Sequence, residues 1–214
     1  MRSDKKVLAP AKKALVLAAH ADDGEIGCGG TIARLIEDGW DVQYTPYVLP
    51  PNGCLEEVER SSALLGITLA DWSIGGPTNR FECRNLSKGR QFILDTMVGV
   101  SIPMPDIVFV PNSDDTHQDH EVIRNEAFRA FKETTILGYE LPWNNRVFNT
   151  DCFFALKKEH LDKKIKAMRQ YKSQAHRPYF KNARSFVYSL AQTRGMQIDA
   201  LYAEAFEVIR WIVH

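Results

Sequence analysis

The sequence has no excess of charge of either sign. Its 214 residues include 27 Lys and Arg against 27 Asp and Glu, so the formal net charge is zero. A chain with this balance has no basic field that would attract nucleic acid or an anionic membrane surface, and it has no acidic tail. We therefore expect no nucleic-acid partner, and we expect function to depend on a local site.

The sequence also has few cysteines and no long apolar run. Cys28, Cys54, Cys83 and Cys152 show neither CxxC spacing nor zinc-finger pairing with histidine, which argues against a structural zinc site, a redox dithiol or a disulfide framework. We expect reduced thiols and a cytoplasmic location. The apolar run at residues 14–19 is too short for a signal peptide, and no segment is long enough to predict a membrane span.

Apolar strand patterns alternate with helical patterns over the first two thirds of the chain. The predicted strands are residues 14–19, 42–49, 72–74 and 106–110, and the predicted helices are residues 31–38, 55–65, 90–98 and 119–131. This alternation predicts βαβ units, and hence an α/β fold with a mostly parallel sheet and helices on both faces.

The pattern changes after residue 135, which indicates an elaborated C-terminal part. We predict strands at residues 136–141 and 152–156, a charged helix at 161–171, and further helical segments up to residue 208. Neither a linker nor an internal repeat interrupts the sequence, so we expect a single domain over residues 1–214.

The first candidate motif, HADDGEIGCGG, follows the first predicted strand. In a parallel sheet, ligands bind beyond the carboxyl ends of the strands. The motif contains one imidazole, His20, and two adjacent carboxylates, Asp22 and Asp23. This set is typical of a catalytic metal site in which one carboxylate binds the metal and the other acts as a base. The alternative is that the two aspartates cap a helix and that His20 is a hydrogen-bonded core residue.

The glycines of this motif do not match a dinucleotide fingerprint. Counted from Gly27, the third glycine of GxGxxG would fall on Ile32, and no acidic residue ends the second strand to hold a ribose. We expect these glycines to allow a tight turn and close packing of the backbone on the sheet.

The second candidate motif, DTHQDH at residues 115–120, follows the strong strand at 106–110. Thr116 and Asp119 have capping-box spacing, and helical periodicity places His120 on the inward face. Because His120 is near the N-terminus of this helix, we expect its ring in the neutral form, which binds metals. His117, with Asp119 nearby, can remain protonated and stabilise an oxyanion. The alternative is two surface histidines on a capped turn. Together, the two motifs indicate a metal-assisted hydrolase.

These two motifs resemble those of the zinc-dependent LmbE-like, or PIG-L, deacetylases, which remove the acetyl group from substrates containing N-acetylglucosamine. The family patterns are HPDDExxGxGGT and HxDH, and here Ala21 replaces the usual Pro and Gly24 the usual Glu. The HADDxEIG form is similar to the subgroup that acts in bacillithiol synthesis, and it leaves Glu25 without an assigned role. The resemblance extends through residues 80–81, 90–95, 171–174 and 202–206, and so covers nearly the whole chain.

The resemblance implies a Rossmann-like fold and a role for each motif residue. The implied metal ligands are His20, Asp23 and His120. The other implied roles are general base for Asp22, oxyanion partner for His117, and carboxylate that orients His117 for Asp119. The implied reaction releases acetate and a free amine from a small acetamido sugar or sugar conjugate. Zinc is the implied metal, although two imidazoles and a carboxylate also accept Fe²⁺.

Other candidates come from single residues. Arg80 and Arg90 could hold a substrate phosphate or sugar hydroxyl, and His176 could line the cleft; for each, the alternative is a solvated surface position. Trp72 and Trp143 could stack on a sugar ring, against the alternative of core packing. Two rival functions stay open: a metal-dependent hydrolase acting on a non-sugar substrate, and a non-catalytic Rossmann-like nucleotide-binding domain. A homo-oligomer is compatible with the sequence.

Overall fold

The structure is a computed structural model that describes residues 11–48, 54–70, 85–99 and 104–213. In these ranges, seven strands form one sheet. They are β1 (Lys13–His20), β2 (Asp41–Val48), β3 (Thr68–Leu69), β4 (Ile107–Pro111), β5 (Thr135–Tyr139), β6 (Cys152–Leu156) and β7 (Tyr202–Arg210).

Seven α-helices connect or cover the strands in the same ranges. They are α1 (Asp23–Glu37), α2 (Cys54–Leu65), α3 (Arg90–Gly99), α4 (Gln118–Ala130), α5 (Lys158–Met168), α6 (Pro178–Lys181) and α7 (Ala183–Met196). Two short 3₁₀ turns, Leu86–Gly89 and Lys172–Gln174, precede α3 and α6. None of the helices in the described ranges is long and apolar enough to span a bilayer.

The strand order is β3-β2-β1-β4-β5-β7-β6, in which β3, β2, β1, β4 and β5 are parallel. Strand β7 runs antiparallel between β5 and β6. This arrangement confirms the predicted Rossmann-like α/β fold. The chain order reverses between β1 and β4, and the crevice beyond the carboxyl ends of two such strands is where open α/β sheets bind ligands.

Helices cover both faces of the sheet, as the sequence predicts. Successive side chains of a strand point to opposite faces, so Val16 and Leu17 of β1 belong to two separate apolar cores. Residues of α1, α2, α5 and α7 fill the first core, and residues of α3 and α4 fill the second. Burial on both faces explains why β1 is apolar between its end residues, Lys13 and His20.

Helix α1 begins at Asp23, whereas the sequence pattern placed its start near residue 31. The glycines that weaken the helical pattern are required by packing. A Cβ atom on Gly27 would lie 2.3 Å from Cδ2 of the Tyr139 ring, so only glycine lets this turn of the helix approach the sheet. Tertiary packing therefore outweighs the low helix propensity of glycine here.

The prediction of helical segments up to residue 208 was wrong for the last of them. Residues Tyr202–Arg210 form β7, although the sequence YAEAFEVIR contains several good helix formers. Hydrogen bonds to β5 on one side and to β6 on the other satisfy this backbone, and no local pattern in the sequence reveals those partners. The predicted strand at residues 72–74 lies outside the described residues.

Candidate metal centre

The two sequence motifs meet at the carboxyl edge of the sheet. His20 is the last residue of β1 and Asp23 is the first residue of α1, while His120 lies in the first turn of α4, which follows β4. Because β1 and β4 are neighbouring parallel strands, their carboxyl ends lie side by side. Fold topology thus joins residues that are 100 positions apart in the sequence.

Three side-chain atoms of these residues form a nearly equilateral triangle. Oδ2 of Asp23 lies 3.1 Å from Nδ1 of His20 and 3.1 Å from Nε2 of His120, and the two nitrogens are 3.2 Å apart. Ligands bonded tetrahedrally to zinc at about 2.0–2.1 Å are separated by roughly 3.3 Å. The spacing and the chemistry of this donor set therefore fit one divalent cation.

A buried carboxylate holds the far ring nitrogen of each histidine. Nδ1 of His120 donates to Oδ2 of Asp115 at 2.7 Å, and Nε2 of His20 lies 3.3 Å from Oδ2 of Asp119. Each carboxylate fixes the ring orientation of its histidine, so that the other ring nitrogen points into the triangle. Sequence reasoning missed this role of Asp115, although its place just after β4 was the available signal.

The charges around His120 also favour a cation. Burial lowers the pKa of His120, but the negative charges of Asp23 and Asp115 outweigh this effect and raise the pKa to about 9. The same two carboxylates create a locally acidic environment, which a bound dication would neutralise.

The structure gives Asp119 a different set of contacts from the expected one. Its carboxylate oxygens lie beside His20 and accept from the backbone N–H of Leu86 at 3.3 Å. The hydrogen bond to His117 instead comes from the backbone N–H of Asp119, which donates to Nδ1 of that ring at 3.2 Å. The backbone amide of Asp119 thus contacts the His117 ring directly, and the negative charge of its carboxylate opposes the lowering of the His117 pKa, so carboxylate support of His117 stays a prediction.

The expected capping box between Thr116 and Asp119 does not form. His117 is the N-cap residue of α4, because its ring accepts the N–H of Asp119. The hydroxyl of Thr116, which the sequence pattern assigned to capping, instead donates to the backbone carbonyl of Asn144 in a distant loop at 2.9 Å.

His117 is better described as a neutral donor than as the expected imidazolium. Burial, followed by the nearby imidazoles of His120 and His20, lowers its pKa. Since Nδ1 accepts a hydrogen bond, the ring proton of the neutral form is on Nε2. This N–H can still donate to a negatively charged oxygen.

His117 is also an alternative metal ligand. Nitrogen atoms of His20, His117 and His120 all lie within 4.8 Å of one another. The separations of 3.1–3.2 Å among His20, Asp23 and His120 are shorter and closer to those around a metal, so we favour the set that includes Asp23.

Asp22 lies beside the triangle without belonging to it. Its side chain makes no hydrogen bond that caps α1, so the structure does not support the helix-capping alternative for this residue. Burial and the negative charge of Asp23 raise the pKa of Asp22 to about 7. A carboxyl group with a pKa near neutrality can both accept and return a proton at physiological pH.

Glu25 lies beneath the site and has no access to solvent. Its Oε1 atom is 2.6 Å from both Oγ of Ser61 and the hydroxyl of Tyr171, and the same Tyr171 hydroxyl donates to the carbonyl of Ala21 at 2.6 Å. Burial raises the pKa of Glu25. Through Tyr171, Glu25 is linked to the backbone of the turn between β1 and α1. Because it is completely buried, it cannot contact a substrate.

The single-residue candidates have mixed outcomes. Nε of Arg90 donates at 2.7 Å to the buried carboxylate of Glu126, which follows His120 in α4, and this contact indicates a structural role. His176 is exposed, and its Nδ1 lies 3.1 Å from the carbonyl of Ser173.

Arg80 and Trp72 lie outside the described residues. Trp143 is not a core residue, since 44% of its surface is exposed.

Tyr179 borders the site, and no feature of the sequence indicated it. Burial and the negative charges of Asp22 and Asp23 raise its pKa to about 12. The residue lies in the short helix α6, in the C-terminal part of the chain, and a local pattern could not predict its place beside the two motifs.

Comparison with known proteins supports the resemblance to deacetylases. No model of a known protein family matches the sequence. The chain is 26% identical over 170 residues to the uncharacterized deacetylase YaiS of Escherichia coli strain K12, in an alignment that covers 76% of this chain and 91% of that protein.

Solved structures share the fold of this chain at lower identity. N,N'-diacetylchitobiose deacetylase from Pyrococcus horikoshii is 22% identical with a TM-score of 0.66, and the match covers 94% of this chain and 84% of that one. GalB, a 4-carboxy-2-hydroxymuconate hydratase from Pseudomonas putida KT2440, is 18% identical with a TM-score of 0.71, covering 95% of this chain and 98% of that one.

The predicted resemblance to LmbE-like deacetylases is therefore confirmed, while the bacillithiol-type subgroup stays a prediction. Because the hydratase has the same fold, the fold by itself does not identify the reaction.

Proposed function

We propose that this chain, which resembles deacetylases in motif, sequence and fold, is a metal-dependent hydrolase that removes the N-acetyl group from an acetamido sugar or sugar conjugate. The observation that carries the proposal is the triangle of His20, Asp23 and His120, with the ionisable Asp22 beside it. This arrangement has one group of residues for holding a cation and a separate carboxylate for moving a proton.

The three triangle residues would hold the metal, and zinc suits two imidazoles and one carboxylate. When bound, the metal supplies Lewis-acid polarisation of the amide carbonyl and a lowered pKa for water. Asp115 and Asp119 keep the two histidine rings in the orientation that presents their lone pairs.

Asp22 moves the proton in the proposed reaction. As the ionised carboxylate, it accepts a proton from the attacking water, and the resulting carboxylic acid then donates that proton to the leaving nitrogen. Burial and the negative charge of Asp23 raise the pKa of Asp22 above its ordinary value, which suits a carboxyl group that must both accept and return a proton. The products are acetate and the free amine.

His117 stabilises the negative charge that develops on the amide oxygen. The N–H of Asp119 occupies Nδ1, so the donated proton is the one on Nε2. A prepositioned donor of this kind lowers the barrier because it interacts more strongly with the developing oxyanion than with the neutral carbonyl.

A hydratase that adds water to a carbon–carbon double bond is the second candidate, because GalB matches this fold with a TM-score of 0.71. Amide hydrolysis and hydration of a double bond both need an activated water molecule, which a metal site and a carboxylate base would supply. The sequence relative favours the deacetylase, since YaiS is named as one.

The test combines metal analysis with substrate screening. Purified protein is analysed for bound zinc and iron, then incubated with N-acetylglucosamine, N,N'-diacetylchitobiose, an N-acetylated amino acid and 4-carboxy-2-hydroxymuconate, with separate assays for acetate, free amine and loss of the double bond. We expect one metal per chain and release of acetate and amine in equal amounts from the sugars.

Each rival function has its own outcome in this screen. Cleavage of the amino acid derivative alone would favour a hydrolase of non-sugar amides, and loss of the double bond alone would favour the hydratase. A protein that binds no metal and acts on no substrate would favour the non-catalytic nucleotide-binding alternative.

A further inference from the structure

Trp143 presents a fixed aromatic surface at the carboxyl edge of the sheet. The residue follows β5 by a few positions, and its indole stacks on the Tyr179 ring with a centroid distance of 3.9 Å and an interplanar angle of 6°. Phe186 contacts the indole at 5.8 Å in a tilted arrangement. These contacts hold the ring in place, yet 44% of Trp143 remains exposed.

Hydrogen bonds connect the Trp143 loop to the metal-ligand motif. The carbonyl of the next residue, Asn144, accepts from both the backbone N–H of Thr116 at 3.1 Å and its hydroxyl at 2.9 Å. The side-chain amide of Asn144 lies 3.5 Å from Oδ2 of Asp115, the carboxylate that orients His120. The loop is therefore anchored to the residues that precede α4.

Tyr179 connects the same aromatic pair to the first motif. Burial, followed by the negative charges of Asp22 and Asp23, raises the pKa of the Tyr179 hydroxyl to about 12. The stacked pair of Trp143 and Tyr179 thus borders the proposed reaction centre, with one ring anchored beside the second motif and the other ring close to the first.

We propose that the exposed surface of Trp143 binds the apolar face of the pyranose ring that carries the acetamido group. The proposal rests on the proposed function and deepens it, because it assigns a sugar subsite to a stacked aromatic pair. A pyranose has a face of C–H groups that packs on a flat aromatic surface, and ligand sites characteristically combine aromatic walls with few polar groups.

Chemical connectivity supports this choice of occupant. The acetamido nitrogen is bonded directly to the pyranose ring, so the ring must lie next to the centre at which the amide is cleaved. A rigid stacked indole costs little conformational entropy when it binds, which makes it suitable for positioning that ring.

The test compares a substrate that has the ring with one that lacks it. We measure kcat and KM for deacetylation of methyl N-acetylglucosaminide and of N-acetylethanolamine by the wild type and by Trp143→Ala, Trp143→Phe and Trp211→Ala. Trp211 is a matched control because it is 61% exposed and follows β7, whose Arg210 pairs with Ile136 near the start of β5, at the opposite edge of the sheet.

We expect Trp143→Ala to lower kcat/KM for the methyl glycoside roughly 10- to 100-fold, mainly through KM, as for the loss of a large apolar contact. The same variant should leave kcat/KM for N-acetylethanolamine unchanged, Trp143→Phe should recover part of the loss, and Trp211→Ala should behave as the wild type. An equal loss on both substrates, or no loss on either, would overturn the proposal.

A binding measurement separates failure of the subsite from failure of the proposed function. If the wild type cleaves neither compound, calorimetric titration of the zinc-loaded protein with methyl N-acetylglucosaminide still tests the subsite. Binding that Trp143→Ala weakens roughly 10-fold or more would support the subsite and reject the deacetylase. Absence of binding, or equal binding by the two proteins, would reject the subsite.

Discussion

The carboxylate of Asp115 accepts a hydrogen bond from Nδ1 of His120 at 2.7 Å, and both side chains are almost completely buried. This pair matches the arrangement in which a carboxylate fixes the ring of a metal-binding histidine and increases its basicity. Asp119 and His20 form a second, longer pair of the same kind at 3.3 Å. The metal triangle is therefore supported on two sides by the motif at residues 115–120.

Substitution of Asp115 should weaken metal binding without removing a ligand. For Asp115→Ala we expect metal affinity to fall roughly 10- to 100-fold, the usual effect of losing an outer-shell partner. Competition with a chelator measures this change. The adjacent Asp114 is exposed, so Asp114→Ala is the matched control and should bind metal as the wild type does. Equal affinities for all three proteins would contradict the assigned role.

Substitution of Asp119 distinguishes its two possible partners. Because its carboxylate lies beside Nε2 of His20, Asp119→Ala should also reduce metal affinity by roughly 10- to 100-fold. If the carboxylate acts on His117 instead, metal affinity will be unchanged and only kcat will fall. Metal titration and turnover, measured on the same preparation, decide between the two.

Loss of the Asp22 carboxylate should separate proton transfer from metal binding. We expect Asp22→Asn to lower kcat by about 10²- to 10⁴-fold, the typical contribution of general acid–base catalysis. Metal content should stay at the wild-type level, because Asp22 lies outside the triangle. Asp38→Asn, at the exposed C-terminal end of α1, is the control. Near wild-type turnover by a fully loaded Asp22→Asn protein would show that another group is the base.

Substitution of His117 tests whether it is a donor or a ligand. We expect His117→Ala to retain its metal and to lose roughly 10²- to 10³-fold in kcat, the scale for removing an oxyanion donor. Elemental analysis alongside steady-state kinetics checks both parts. Loss of the metal itself would favour the alternative set of three histidines.

The buried Glu25 should make stability depend on pH in an unusual direction. Burial raises its pKa above the ordinary value of 4.5, so the folded state retains a proton that the unfolded chain releases. Its contribution to stability is complete below pH 4.5 and is lost as pH rises towards the folded-state pKa. The side chain of Glu25→Gln cannot ionise. As pH rises from 4.5 towards the folded-state pKa of Glu25, the free energy of unfolding of this variant should therefore increase relative to that of the wild type, by up to about 1.4 kcal/mol per pH unit.

Urea unfolding of both proteins between about pH 5 and pH 7.5 measures the difference in unfolding free energy at each pH. Exposed Glu59→Gln, on α2, is the control and should show no such trend. A wild type that becomes more stable relative to Glu25→Gln with rising pH would contradict the assignment.

Local patterns in the sequence determined four of the five parallel strands in outline, namely β1, β2, β4 and β5, and the location of the candidate metal site. A parallel strand that is buried on both faces must be apolar and must end where polar side chains begin, so β1 and β4 are visible as apolar runs. His20, Asp22, Asp23, His117 and His120 could be identified because they follow those two runs directly.

Only the tertiary structure decided which groups pair within the site. The sequence placed Asp115 and Asp119 near two histidines, but only the structure shows that the carboxylate of Asp115 contacts His120 and that of Asp119 contacts His20. Similarly, pairing with β5 and β6 makes Tyr202–Arg210 a strand. The stacking of Trp143 on Tyr179 joins the loop after β5 to helix α6. Such contacts depend on side-chain geometry between distant segments, which local periodicity does not encode.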